Sequence, residues 1–406
     1  MKKRLAFAQF HVALGRRRAP ALCLALCMLG LGLSVNAQER KGKLIPFDVP
    51  GADAVWSPVC ASAFLGFLGC GTTPLANNDL GVVVGTYSYT YPNTNIVMRG
   101  FLRTPDGHII SFEAPGAGLG AGQGTAAYAL NDLGVIAGTF QDSSNIYHGF
   151  LRYPSGHFIT LDAPDAGTGE QQGTLATNIN LEGTTAGSYI DGYGVNHGFV
   201  RSPQNDFRSF DPSGSVFTYP CEETCLNPSG TVVGFFVDAT NTTHGFVRAP
   251  DGDIAIIDAP KAGTGSGLGT VAASINPEGV IAGYSLDSNG VAHGFVRRPD
   301  GSFATFEDPA ASTAPGEGSA AFAINWFGAV TGEFNDQYTV MHGFERFRDG
   351  SFASFDAPGA GTSVWQGTRP STNNLEEAVA GWYVDEKNVN HGFVWIPNGT
   401  LRARPE

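Results

Sequence analysis

The segment GTVAASINPEGVIAGYSLDSNGVAHGFVRRPDG, residues 269–301, carries the pattern that organises the whole chain. Short runs rich in Val, Ile, Ala, Tyr and Phe are broken by Asn276-Pro-Glu-Gly279, by a loop opening at Asp287, and by Pro299-Asp-Gly301. Gly, Pro, Asn and Asp at such intervals punctuate antiparallel strands. The runs predict four short strands, over 269–276, 279–285, 293–297 and 302–307. The connection between units, as at 260–268, is longer and Gly-rich.

The unit recurs. His-Gly-Phe returns with its Gly at 149, 198, 245, 294, 343 and 392, and Arg99-Gly100-Phe101 is a divergent copy. The spacing is 49 residues everywhere but one interval of 47. An acid precedes a proline at Asp48, Glu113, Asp162, Asp258 and Asp356, and Asn-x-x-Gly turns recur at 131, 180, 276 and 325. Four residues beyond that turn another glycine stands in all seven copies: 85, 138, 187, 234, 283, 332 and 381. Three tight turns and one crossover, repeated seven times without helical periodicity, predict an all-β fold, a seven-bladed β-propeller of four-stranded blades. A linear β-solenoid is the rival, but it would need capping repeats that the sequence lacks.

The units at 124–156, GTAAYALNDLGVIAGTFQDSSNIYHGFLRYPSG, and at 269–301 resemble the bacterial HAF repeat, an extracellular family named for His-Ala-Phe where this chain has His-Gly-Phe. The resemblance covers nearly all of residues 44–400. It implies export and repetition, and it carries no catalytic residues.

Around the repeats, composition bounds the rest. Hydrophobic residues make up 42% of the 406, which rules out disorder from low hydrophobicity. Residues 1–37 read as a secretory signal: Lys2, Lys3, Arg4 and Arg16–Arg18 are basic, 20–33 are apolar, and Val35-Asn36-Ala37 offers a cleavage site. The apolar run is too short to span a membrane, and no later segment is longer. Residues 38–406 are then one propeller domain with an inserted loop at 52–70. They carry 18 basic against 37 acidic residues, a net charge of −19, which argues against a nucleic-acid partner. Cys60, Cys70, Cys221 and Cys225 remain. Four cysteines in an exported chain suggest two disulfides among three connectivities, with proximity favouring Cys60–Cys70 and Cys221–Cys225. An extended strand would hold Cys221 and Cys225 roughly 13 Å apart, so that strand is distorted or the pairing differs.

The repeated histidines invite a catalytic reading. Copies spread around a ring cannot converge on one substrate, however, and each has an acid fourteen residues on: His148 and Asp162, His197 and Asp211, His244 and Asp258, His293 and Glu307, His342 and Asp356. Such spacing across a hairpin predicts a cross-strand pair. Arg99 keeps Glu113 at the same distance. His391 has no such acid, and Asp48 is the acid left over. Residues 44–50 are therefore expected to supply the outer strand of the last blade, with residues 400–404 as the rival. The aspartates at 142, 191, 238, 287, 336 and 385 are expected to cap turns rather than bind metal.

Function is expected where copies differ. The loop at 52–70 adds sixteen residues and holds Trp56, Phe64 and Phe67; Phe217, Tyr219 and Trp365 mark other divergent loops. Aromatic platforms beside carboxylates suit an extracellular carbohydrate or peptide ligand. The leading expectation is a secreted, non-catalytic binding module. A propeller glycoside hydrolase or lyase is the alternative, with Glu222, Glu223 and Glu377 as unrepeated acids; a purely structural envelope protein is the third. No phosphate loop, zinc spacing or nucleophile elbow appears, so no cofactor is expected.

Overall fold

A computed structural model describes residues 42–62, 69–91, 95–220 and 224–397. The signal segment, Phe64, Phe67, Cys221, Glu222, Glu223 and residues 400–404 lie outside the described residues. The chain is all-β, with Pro58–Ser62 the one helical turn among the described residues.

In the unit that opens at Gly269 the strands are Gly269–Ile275, Ile281–Leu286, Ala292–Arg297 and Phe303–Phe306, paired antiparallel in sequence order. The first turn explains its own sequence. Gly279 N–H donates to Asn276 O and Val280 N–H donates to Asn276 Oδ1, while Gly279 takes φ +78°, which glycine adopts without steric cost. A Cβ on Gly283 would collide with the Val271 carbonyl and the Phe295 ring, so the centre of the second strand must be bare. Equivalent meanders occupy 72–112, 124–161, 173–210, 215–257, 318–355 and 367–397. In the 215–257 unit the first strand is Ser215–Pro220, with Thr224 and Cys225 beyond the undescribed residues.

The phenylalanine of each His-Gly-Phe, and of Arg99-Gly100-Phe101, is at the centre of the core. Phe101, Phe150, Phe199, Phe246, Phe295, Phe344 and Phe393 are all 0–1% exposed, each packed between sheets. Full burial of such a side chain contributes roughly 1.5–3 kcal/mol. The arginine two positions on lies over a phenylalanine, as Arg152 over Phe112 and Arg346 over Phe306, both at 4.8 Å. The threonine of Gly-Thr fastens its unit to the one before: Thr174 Oγ1 accepts from Ala163 N, and Thr270 Oγ1 from Ala259 N, with Ser319 Oγ in that place for Asp308 N.

Units are also tied at the first turns. Asn78 Nδ2 donates to Asn131 O, Asn131 to Asn180 O, Asn180 to Asn227 O, Asn276 to Asn325 O, and Asn325 to Asn374 O, at 3.0–3.3 Å. Between Asn227 and Asn276 the link is Ile275 N to Thr224 O. Asn374 then donates to Asn78 O, joining the end of the chain to its beginning. The outer edge closes as well. Gly42–Phe47 pairs antiparallel with Asn390–Pro397, Phe47 opposite Gly392, in the position that Phe303–Phe306 fills in its own unit.

The disulfide Cys60–Cys70 forms, with Cα atoms 5.1 Å apart. Cys225 is buried, its N–H donating to Asn178 Oδ1.

Candidate ligand site

Six histidines occupy one repeated setting. Nδ1 lies 2.8 Å from Asp162 in His148, 2.7 Å from Asp211 in His197 and 3.1 Å from Asp258 in His244. The distances are 2.5 Å from Glu307 in His293, 2.9 Å from Asp356 in His342 and 2.9 Å from Asp48 in His391. On the other side Nε2 faces a second carboxylate at 3.4–3.7 Å: Asp142, Asp191, Asp238, Asp287, Asp336 and Asp385 respectively. Each of those aspartates also accepts turn N–H groups through Oδ1, as Asp287 does from Asn289 and Val291. All the rings but His293 stack on an aromatic side chain, as His148 on Phe140 at 4.9 Å.

Two flanking carboxylates favour the imidazolium. His148, His342 and His391 are held above the ordinary histidine range, chiefly by the hydrogen bonds to Asp162, Asp356 and Asp48. In His197 burial pulls downward most strongly, and the two aspartates together outweigh it. Nε2 makes a hydrogen bond to its aspartate in His197 and His391, at 3.4 Å, and stands 3.5–3.7 Å from it in the other four. Each imidazole between its two carboxylates is one repeated station. Arg99 Nε stands 2.8 Å from Glu113 in the divergent copy.

The aromatic residues expected to form a binding face divide. Trp56 is 48% and Trp365 40% exposed. Tyr219 is not available: it is 4% exposed, buried because its strand packs it against Phe217 and Phe235. Phe217 is half-buried in the same stack. Glu377 occupies the turn position where the other units have Gly, at φ +59°.

Trp365 stands out through its backbone. The crossover loops meet the turns between second and third strands by a repeated hydrogen bond: Gly267 N to Asn241 O, Gly316 N to Gly290 O, Trp365 N to Thr339 O. Both partners take positive φ, which suits the Gly and Asn of most units. Trp365 at +62° and Thr339 at +62° do not fit that preference. A left-handed backbone costs a residue with a Cβ roughly 1–2 kcal/mol, and a β-branched residue there is an outlier. Beside them Tyr338 is 67% and Val364 59% exposed. Beneath, Thr339 Oγ1 donates to Glu317 Oε1 at 2.7 Å. Glu317 replaces the glutamine of other loops, whose amide bonds an asparagine, as Gln366 Nε2 to Asn388 Oδ1. Its Oε2 is buried without a hydrogen bond among the described residues. An exposed indole on a left-handed backbone thus stands beside a carboxylate with one oxygen lacking a hydrogen bond among the described residues; the equivalent residue of an earlier unit in the loop series, Gln171, takes the same backbone at φ +60° with a polar side chain.

A second unrepeated cluster escaped the sequence reading. Arg369 lies over Phe322 at 5.1 Å and over Trp382 at 5.3 Å, with Nε 3.6 Å from Glu333. Tyr284 meets Phe322 edge-on at 6.3 Å. All five are half-buried. Burial pushes the Glu333 carboxyl up, against the opposing pull of Arg369. The signal was present in one column: the residue after the second-strand glycine is Thr86, Thr139 and Ser188, then Phe235, Tyr284, Glu333 and Trp382.

No family model and no curated protein matches this chain. Among solved structures, AofleA from Arthrobotrys oligospora is 15% identical, with TM-score 0.35, over 73% of this chain and 93% of its own. The lectin of Aleuria aurantia, described as a six-bladed β-propeller with fucose recognition, is 12% identical, with TM-score 0.32, over 69% and 95%. Likeness at that level assigns no ligand to this chain.

Proposed function

We propose that residues 38–406 form an exported seven-bladed β-propeller of the HAF-repeat kind, acting as a non-catalytic carbohydrate-binding module. The observation that carries the ligand reading is Trp365, an exposed indole on a left-handed backbone where glycine would be unstrained. With Tyr338 it offers apolar faces for the C–H side of a pyranose, and the Thr339–Glu317 pair offers polar atoms for hydroxyl groups. Seven blades are supported by the asparagine turns and by the outer strand that the N-terminal residues lend to the last unit. Export is supported by residues 1–37 and by the Cys60–Cys70 bridge, a bond stable in oxidising compartments. The repeated histidines support a role without catalysis, since each is locked between two carboxylates.

A glycan array probed with the full chain tests this. Binding to a defined saccharide class, lost in Trp365→Ala while the melt is kept, is expected. Silence across the array, or binding that Trp365→Ala leaves intact, contradicts it.

A further inference from the structure

The first turns carry a feature that saccharide binding does not use. Five of them, Asn325–Gly328, Asn374–Glu377, Asn78–Gly81, Asn131–Gly134 and Asn180–Gly183, are joined in that order by the asparagine hydrogen bonds and form one continuous arc. The arc exposes Trp326 (50%), Leu80 (53%), Leu133 (63%) and Leu181 (48%), with Leu375 half-buried between them. Turn chemistry does not ask for these residues: Asn, Asp, Pro, Ser and Gly suffice. The two turns outside the arc show this with Asn227-Pro-Ser-Gly230 and Asn276-Pro-Glu-Gly279. Apolar side chains kept in water at successive turns along one arc are a mark of an interaction surface.

The same turns carry acid. Asp79, Asp132, Glu182 and Glu376 alternate with the apolar side chains, and no Lys, Arg or His occurs in any of the five turns. Two of the acids are held in place. Asp132 Oδ1 accepts from Asp79 N and Asp79 Oδ1 from Leu375 N, both at 2.9 Å. A preorganised strip of alternating carboxylates and leucines complements a segment with the opposite charge and the same apolar spacing.

We propose that this arc docks a basic, amphipathic peptide segment of a partner protein, its apolar side chains on Leu80, Leu133, Leu181 and Trp326 and its Lys or Arg on the acids between them. Residues 1–37 of this chain have similar chemistry, but they are expected to be removed on export. The arc is reached independently of the Trp365 site and does not rest on a saccharide ligand.

The test uses fluorescence anisotropy with the full chain and two labelled peptides of about 18 residues, five helical turns. One has a Lys/Leu amphipathic pattern, the other the same pattern with Glu for Lys. The Lys/Leu peptide is expected to bind one to one and to weaken at least about tenfold on Leu80→Ser/Leu133→Ser and on Asp132→Asn/Glu182→Gln. Glu170→Gln/Glu386→Gln, in crossover and second-turn positions away from the arc, is the control and should leave binding unchanged. Melting curves must match wild type for each variant. Binding of neither peptide, of both alike, or equal weakening by the control pair would overturn the proposal. So would binding that appears only once residues 1–37 are removed, which would assign the arc to the chain's own leader.

Discussion

His391 Nδ1 lies 2.9 Å from Asp48 Oδ2, across 343 residues of chain. This contact repeats, between the chain ends, the local pairing that His148 makes with Asp162. Asp48 follows Gly42–Phe47, whose six register pairs with Asn390–Pro397 complete the last sheet. Deleting residues 42–50 removes that strand and the Phe47 ring, which meets Phe101 edge-on and supports Arg103. The loss expected is on the order of 3 kcal/mol or more, read as a sharply lower melting temperature. Asp48→Asn removes only a half-exposed charge and should cost at most about 1 kcal/mol. An unchanged melt after the deletion would refute closure by this strand.

Stability should follow pH in a stated direction. His148, His197, His342 and His391 are raised in the folded chain. Their contribution is therefore complete below the unfolded histidine value, about 6.5, and is lost as pH rises through the folded values. Asp191, Asp336 and Asp385 are depressed: turn N–H groups and the histidines outweigh burial, which is the largest single influence and acts upward. Their contribution is lost as pH falls through the folded values, beneath roughly 3.9. Calorimetry should find a plateau between about pH 4 and 6.5 and a falling melting temperature toward pH 8. A melt that rises from pH 6 to pH 8 would contradict the station model.

Asn374 accepts from Glu376 and Ala378 N–H groups and donates to Asn78 O, so it orders its own turn and closes the ring of turns. Asn374→Ala should cost roughly 1–3 kcal/mol, with buried backbone groups left unsatisfied. Asn374→Asp keeps the acceptor but sets a carboxylate oxygen against the Asn78 carbonyl in a buried position, and should lose more. Denaturant midpoints separate the two.

Trp365→Gly should relieve the left-handed backbone and raise stability by about 1 kcal/mol, while abolishing saccharide binding. Opposite signs for stability and binding would separate a functional indole from a packing one. A destabilised Trp365→Gly would show instead that the indole serves the fold.

Much of the fold was legible because repetition averages out local ambiguity. The strand-turn pattern at 269–301 matches the observed strands to within about two residues. The fourteen-residue histidine spacing indicated the partner of each ring, and the gap at His391 pointed to Asp48. The second carboxylate of each station is not legible in the sequence: Asp142 and its equivalents read as turn caps and as carboxylates beside the aromatic loops, not as partners of the histidines, because a side chain's second oxygen leaves no trace in spacing. Aromatic identity also misled. Tyr219 shares its composition with a binding residue, but strand alternation and the neighbouring Phe235 bury it. The strain at Trp365 was invisible for a related reason: it lies in φ, and the sequence showed only that a Trp stood in a divergent loop.

The most direct measurement is a crystal structure of the full chain with a saccharide selected on the array. A ring of seven blades closed by residues 42–47, with a sugar ring stacked on the Trp365 indole and a hydroxyl group directed at Thr339 or Glu317, is the expected result. A different blade count, or a saccharide bound elsewhere with Trp365 bare, would contradict it.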